Sequence, residues 1–388
     1  MHKKGLQRKA SFTLNRDGYS IHTFELSRQY TQRSWSAIKD RLYRELEQRE
    51  PGEQAWIYAV SKKRNRYQCT RYARHGVRIE LEHNTSTAGP ETFFIRMTIN
   101  PRKLLEPESS YLGILPPTKD AAEAVAKAFR KLLKHTPFDC ELDDYYLTRV
   151  DLCANLQCDN GKIFREVIRA SQKLPAPPKM QRLYYQNPDR KKEKRYNNHY
   201  IEYACNSYDL VLYDKTFQLT EEGLKLSYEK LPEGVLRCEL RFRRDWIRSD
   251  QKEVGIASTT AYLQHLVTNA RLFLLYVLTK SIPPARYLRL PELLESIWWS
   301  PYPEHIRCRM QKLVTLTHKA DSVDEAFEKM QVSKEERKDL LLRFQHLGVS
   351  PIPLRKNFSA EELPNPTRLF LLLDKAGGPV SVNYIRSK

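Results

Sequence analysis

Three short stretches hold residue types that can do chemistry together. "DLVLYDKTFQL" (209–219) carries Tyr213 and Lys215 two residues apart. "TRVDLCANL" (148–156) carries Asp151, and "VLRCELRFRRD" (235–245) carries Glu239. Side chains alternate between the faces of a strand. Val150, Leu152, Ala154 and Leu156 then point one way, and Arg149, Asp151, Cys153 and Asn155 the other. Likewise Leu236, Cys238, Leu240 and Phe242 oppose Arg237, Glu239, Arg241 and Arg243. In the third stretch Val211, Tyr213, Lys215 and Phe217 share a face, with Leu210, Leu212 and Asp214 opposite.

In one sheet these strands present an open face with Asp151, Glu239, Tyr213, Lys215 and several arginines. That set suits phosphoryl transfer. Two carboxylates at strand centres can hold a hard divalent cation such as Mg2+ or Mn2+, which neutralises phosphate charge. A tyrosine hydroxyl can be the nucleophile, but its free pKa of about 10 means that it needs help at neutral pH. Lys215 on the same face can supply that help. The same residues also fit a plainer reading, in which cross-strand Asp–Arg and Glu–Arg pairs decorate a half-exposed sheet and the tyrosine simply packs.

The elements that must position this face read as an α+β fold. An antiparallel or mixed sheet carries helices on one face, and a mostly helical C-terminal domain follows. Strands are expected at 55–60, 65–74, 77–83, 92–99, 145–157, 200–217 and 235–243, from aromatic and β-branched runs. A helix is expected at 119–134, with Asp120 at its cap and Glu123 three residues on. Ala122, Val125, Phe129, Leu132 and Leu133 form its apolar face. A second helix starts near Lys162. The proline- and charge-rich stretch 173–199 reads as a loop. A long helix at 258–282 opens the C-terminal region, and two short helices at 322–348 allow a helix-turn-helix. Ser333 and Glu336 there form a capping box, and Gly348 ends the second helix. The expected domains are a basic N-terminal extension and helix (1–50), an α+β domain that carries the candidate face (51–250) and the helical domain (251–388).

Charge points to the partner. Lysine and arginine outnumber aspartate and glutamate by 66 to 47, a net +19, and such a surplus suits a polyanion. The 22 tyrosines, 14 phenylalanines and 5 tryptophans among these cations favour single-stranded nucleic acid, where bases stack and phosphates pair. The stretch 61–78 has seven basic residues and no acids, with Lys62, Lys63, Arg64, Arg66, Arg71 and Arg74 as DNA-contact candidates. A second set is Lys191, Lys192, Lys194 and Arg195. A third is Arg149, Arg237, Arg241, Arg243 and Arg244, with Arg248 beyond. The seven cysteines are odd in number and scattered, which suits reduced thiols in a cytoplasm. No apolar run reaches a membrane span, and the opening residues do not read as a secretory signal. DNA is therefore the expected partner, and a membrane is not.

Four stretches in order resemble the rolling-circle replication initiators of filamentous phages, and more loosely the initiators and relaxases of Gram-positive plasmids and conjugative elements. They are "IRMTINPRKLL" (95–105), "LTRVDLCANL" (147–156), "LVLYDKTFQL" (210–219) and "LRCELRFRRDWI" (236–247). The resemblance implies an endonuclease that nicks one strand at a double-strand origin. Tyr213 would form a 5′-phosphotyrosine link and leave a free 3′-hydroxyl for a host polymerase. The protein would later rejoin the strand. Lys215 would be its cationic neighbour, and Asp151 and Glu239 the metal ligands. Gln218 stands where the family usually has a metal-binding glutamate. A host helicase or polymerase is the implied protein partner. No Gly-x-x-x-x-Gly-Lys-Ser/Thr loop occurs, in keeping with a transesterification that needs no nucleotide. The paired histidines of another class of nicking initiators are also missing. His22, His75, His83 and His199 stand isolated and read as surface or DNA-contacting residues. Tyr145, Tyr146, Tyr203 and Tyr208 lie near enough in sequence to join a later strand transfer. Two other functions fit the same features: a non-catalytic DNA-binding replication regulator, and a conjugative relaxase with the same chemistry.

Overall fold

The computed structural model describes residues 7–49, 55–61, 66–84, 90–224, 232–358 and 360–385. The first ten strands are β1 (Gln7–Tyr30), β2 (Ile57–Ser61), β3 (Arg66–Cys69), β4 (Val77–Asn84), β5 (Thr92–Ile99), β6 (Tyr146–Cys158), β7 (Gln181–Leu183), β8 (Tyr200–Ala204), β9 (Tyr208–Asp214) and β10 (Gly234–Arg243). Among them run the helices α1 (Gln32–Glu47), α2 (Pro101–Leu105), α3 (Ala121–Leu133), α4 (Gly161–Gln172), α5 (Arg190–Asn197) and α6 (Lys215–Glu221). The chain then turns mostly helical: α7 (Arg244–Val254), α8 (Thr259–Ser281), α9 (Leu290–Trp298), α10 (Glu304–Lys319), α11 (Val323–Met330), α12 (Lys334–His346) and α13 (Pro366–Ala376). Two short strands, β11 (Arg286–Leu288) and β12 (Glu362–Pro364), pair with each other, and β13 (Val380–Ile385) returns to pair with β1.

The fold is α+β, and the main sheet is antiparallel. Its order is β2-β3-β4-β5-β1-β6-β10-β9-β8-β7, with β13 beside the start of β1. Residues 7–30, expected within a basic extension, instead form the strand between β5 and β6. Their apolar positions explain this: Phe12, Tyr19, Ile21, Phe24 and Leu26 are all buried. The pairing with β6 skips between Leu14 and Tyr19, where Gly18 takes a positive φ of 63°. That backbone suits glycine, so the Asn-Arg-Asp-Gly stretch bulges out and the strand continues.

One face of the sheet is apolar. Val150, Leu152, Ala154 and Leu156 join Leu236, Cys238, Leu240, Phe242, Leu210 and Leu212 in the core. Val125, Phe129 and Leu133 of α3, Phe164 and Val167 of α4, and Leu266 and Leu274 of α8 belong to the same cluster. Each fully buried leucine or phenylalanine there stabilises by about 1.5–3 kcal/mol. Helix α8 lies against β1 and β6, and α13 against α8 and β1, which joins the helical region to the sheet.

Local signals account for most helix starts. Ser258 caps α8 by accepting from the Ala261 N–H at 3.1 Å. Ser333 and Glu336 form the expected capping box of α12. Asp120 holds the cap position of α3 but makes no side-chain cap bond. The Ala122 N–H instead donates to Gln264 of α8 at 3.1 Å. The stretch 173–199, expected as a loop, contains β7 and α5. Asp189 starts α5 by accepting from the Lys191 and Lys192 N–H groups, and the lysines, arginines and glutamate that follow are good helix formers.

Candidate active site

The other face of the sheet holds the candidate residues. Strand β6 lies beside β10, and β10 beside β9. Arg241 pairs directly with Asp151, and Tyr213 with Arg237. The Tyr213 hydroxyl donates to Glu239 Oε1 at 2.6 Å. Tyr213, Glu239 and Asp151 are all buried, at 7%, 2% and 2% exposure, so their charges act in a poorly solvated place.

Lys215 is placed differently from its expectation. Strand β9 ends at Asp214, and Lys215 is the first residue of α6. Asp214 Oδ1 accepts from the Phe217 N–H at 3.0 Å, and an aspartate cap outweighs the β propensity of the run. His199 secures the corner: its Nδ1 lies 3.1 Å from Asp214 Oδ2 and its ring stacks on Phe217 at 3.8 Å. His199 is therefore a buried structural group and not a surface one. Lys215 Nζ sits 5.7 Å from the Tyr213 ring centroid and donates to Gln218 Oε1 at 2.9 Å. The Gln218 amide also donates to Glu222, so both ends of that side chain are engaged.

Each carboxylate has its own partners. Arg149 grips Asp151 with two bonds, at 2.8 and 2.7 Å, and Thr23 of β1 donates to it at 2.5 Å. Arg241 donates to Glu239 Oε2 at 2.9 Å, and Arg237 Nη1 lies 3.8 Å from Oε1. Arg237 is fully buried and bonds Asn155 at 2.6 Å and the Leu112 carbonyl at 3.0 Å. The chain around Leu112 covers it, so Arg237 acts inside the site and does not form part of an exposed DNA-contact surface. Its Nη1 is a buried donor without a hydrogen-bond partner.

His22 is a member of the site that its sequence position hid. The β1–β6 register shifts between Ile21 and Thr23, so His22 occupies a bulge, a device that re-aims a side chain. Its Nδ1 lies 3.3 Å from Glu239 Oε1. The signal was present in the spacing of Tyr19, Ile21, Phe24 and Leu26, which runs two, three, two and breaks the strand period.

Burial and these partners set the protonation states. Burial pushes both carboxyls up. For Asp151 it wins over the neighbouring Arg149, and the pKa stays raised. For Glu239 the cation Arg241, with His22 and Arg237, reverses it and holds the pKa well below the usual value. Burial, then the adjacent Glu239 charge, raises the Tyr213 phenol well above its ordinary value. Burial and Arg237 lower His22 to about 3, so its imidazole is neutral and its contact with Glu239 is a hydrogen bond. Burial, then Arg237, lowers Lys215 to about 7. The phenol is thus protonated at rest, and its proton already points at an ionised acceptor.

Among the described residues, no three His, Cys, Asp or Glu side chains form a group that could hold a metal ion. Asp151 and Glu239 suit a hard cation in donor type. Their oxygens are bound by Arg149, Thr23, Tyr213 and Arg241, so an ion there must displace guanidinium groups.

Two clefts flank these residues. One, of about 620 Å3, is lined by His22, Thr23, Arg78, Lys103, Tyr111 and Gln218. The other, of about 490 Å3, is lined by Phe94, Arg96, Tyr146, Arg149, Arg243 and Arg244. Asp151 lies between them in contact terms, bonded to Thr23 of the first and Arg149 of the second.

The chain is similar to a solved rolling-circle replication initiator protein from Geobacillus stearothermophilus. The match covers 70% of this chain and 85% of that one, with 7% identity and a TM-score of 0.30. A likeness of that size assigns no residue a role. No family model and no curated protein matches the chain.

The remaining basic candidates are dispersed. Lys62, Lys63 and Arg64 lie outside the described residues. Arg66 pairs with Glu80 at 2.6 Å, Arg71 with Glu45 at 2.5 Å, and Arg74 with Glu108. Three arginines of the acid-free stretch 61–78 are thus paired with carboxylates from elsewhere in the chain. Arg195 pairs with Glu221 at 2.5 Å, while Lys191, Lys192 and Lys194 on α5 are exposed. Arg243 pairs with Asp209 at 2.6 Å, and Arg244 is exposed. Of the nearby tyrosines, Tyr145 and Tyr203 are buried, whereas Tyr146 is 65% exposed. No helix among the described residues is long and apolar enough to cross a membrane.

Proposed function

We propose that this protein initiates rolling-circle DNA replication by nicking one strand with Tyr213 as nucleophile. The observation that carries this reading is the 2.6 Å hydrogen bond from the Tyr213 hydroxyl to Glu239, set beside the buried Arg237 and the partly buried Arg149 and Arg241. A nucleophile hydrogen-bonded to its base is the usual arrangement for covalent catalysis.

In this reading Tyr213 Oη attacks the scissile phosphorus and its proton passes to Glu239. The bond from phosphorus to the 3′-oxygen breaks. The leaving oxygen takes a proton from Lys215, whose pKa of about 7 suits a general acid near neutral pH. The products are a 5′-phosphotyrosine and a free 3′-hydroxyl. Reversal, with a 3′-hydroxyl attacking the phosphotyrosine, rejoins a strand. Nη1 of Arg237, which makes no hydrogen bond and lies 3.8 Å from Glu239, is a donor for the negative charge that develops beside it, and such preorganised donors lower barriers strongly. His22 and Arg241 keep Glu239 ionised and in place.

Asp151 and Glu239 are the residues we propose for a divalent ion, Mg2+ or Mn2+, with Gln218 left to Lys215. When bound, such an ion neutralises charge on the scissile phosphate. The DNA backbone would be held by Arg149, Arg241, Arg243 and Arg244 along the face and by the lysines of α5.

The test is nicking of supercoiled plasmid that carries the replication region of the encoding element, with Mg2+ or Mn2+ and with chelator. Open circles with protein attached are expected from the wild type and none from Tyr213→Phe. A second reading, a DNA-binding regulator without chemistry, is favoured by one observation: the site's carboxylates are already paired with arginines, as in a structural network. Tight, salt-sensitive binding with no nick under either metal would select it.

A further inference from the structure

The cleft of about 490 Å3 beside Asp151 has three features that nicking chemistry leaves unused. The first is Tyr146, which lines it at 65% exposure and sits at the start of β6, five residues before Asp151. An aromatic ring left in water at the edge of a site gains nothing until a flat apolar surface covers it. The second is Arg244, which is exposed and, among the described residues, has no ion pair, although Arg96, Arg149 and Arg243 of the same cleft are paired. The third is the start of α7. Its cap residue, Arg243, makes no side-chain cap bond, and the first-turn N–H groups of a helix suit an anion.

A flat apolar partner next to an anion describes a nucleotide. We propose that this cleft binds a short run of single-stranded DNA next to the scissile phosphate, with a base stacked on Tyr146 and a phosphate at Arg244 and the start of α7. The location rests on the nicking reading, since Arg149 joins the cleft to Asp151. The binding does not depend on the chemistry. Phe94 lines the same cleft and offers a second apolar surface. Tyr146 stacks and does not react in this scheme, so its ring matters and its hydroxyl does not.

The experiment is fluorescence anisotropy of a labelled oligo-dT on the full chain carrying Tyr213→Phe, so that no strand is cut. Base stacking is worth roughly 1–3 kcal/mol by alanine substitution, so Tyr146→Ala should weaken binding by about fivefold to a hundredfold. Tyr146→Phe should bind as the parent does. Arg244→Ala should flatten the dependence of log affinity on log salt by about 0.7, the loss of one phosphate contact on a single strand. Tyr146 is exposed, so circular dichroism should match the parent in each variant. Unchanged affinity in a folded Tyr146→Ala would overturn the proposal. Tyr146→Phe in a chain that keeps Tyr213 should still nick plasmid, and binding without nicking there would also overturn the proposal, by making the hydroxyl a reactant. If the wild type never nicks but Tyr146→Ala still loses affinity, the subsite stands and the nicking reading falls.

Discussion

The Tyr213 hydroxyl reaches from β9 to Glu239 on β10 and donates across 2.6 Å. The phenol's raised pKa means that nucleophile activation requires a base in contact. Among the described residues, Glu239 is the carboxylate that accepts from this hydroxyl. Replacing it with glutamine keeps a hydrogen-bond acceptor and removes the base. Glu239→Gln should cut the nicking rate by about 10²–10⁴-fold, the range for general base catalysis, with DNA affinity close to wild type. Initial rates on supercoiled plasmid beside filter binding would check both halves.

His22 should matter although it touches no reacting atom. Its Nδ1 supports Glu239 at 3.3 Å. A hydrogen bond to a charged group contributes about 1.5–3 kcal/mol, so His22→Ala should slow nicking by about tenfold or more. His22→Asn, which can still donate, should recover part of that loss. A purely structural role would instead show as a lower unfolding midpoint in both variants with unchanged kcat in the folded fraction.

Lys215 carries a pH signature. Its folded pKa is lowered to about 7, below the free value of about 10.4. Between those values the unfolded chain binds a proton that the folded chain lacks, so this residue's contribution to stability rises with pH from about 7 to about 10. Urea midpoints of wild type and Lys215→Met at pH 7 and pH 9 should differ in that direction, the wild type gaining relative to the variant as pH rises. The protonated fraction falls over the same window. The general-acid role predicts a nicking rate that declines above pH 7 in wild type, and a slower rate without that decline in Lys215→Met.

Much of this site was legible in the sequence because a strand has a period of two. Asp151, Glu239 and Tyr213 fall on one face, and their apolar neighbours fall in the core, once β6, β10 and β9 lie side by side. What was not legible depended on contacts from distant residues or on local competition. Asp214 turns the chain into α6, so Lys215 leaves the strand that its spacing suggested. His22 enters through a bulge in a strand whose basic opening read as an extension. Glu45, Glu80 and Glu108, all outside 61–78, neutralise three of the arginines there. Arg237 looked like a DNA contact on a polar face. The chain around Leu112 buries it, and no local pattern encodes that cover.

Arg237 should therefore behave as a core residue. Removing one member of a buried charged network leaves the others uncompensated, at a cost of about 3–5 kcal/mol. Arg237→Ala should lower stability to urea by that amount. Among molecules that stay folded, the salt dependence of DNA binding should be unchanged, unlike the effect expected at Arg244. Urea unfolding and salt titrations of the two variants would separate these roles.

The most direct test is to find which atom carries the DNA. Protein would be incubated with plasmid bearing the replication region and Mg2+ or Mn2+, then treated with nuclease and protease, and the nucleotide-bearing peptide sequenced by mass spectrometry. A 5′-phosphate joined to Tyr213 is the predicted result. A nucleotide on another tyrosine, or a nick with no covalent adduct, would contradict the account and leave Tyr213 as a packed residue of the sheet.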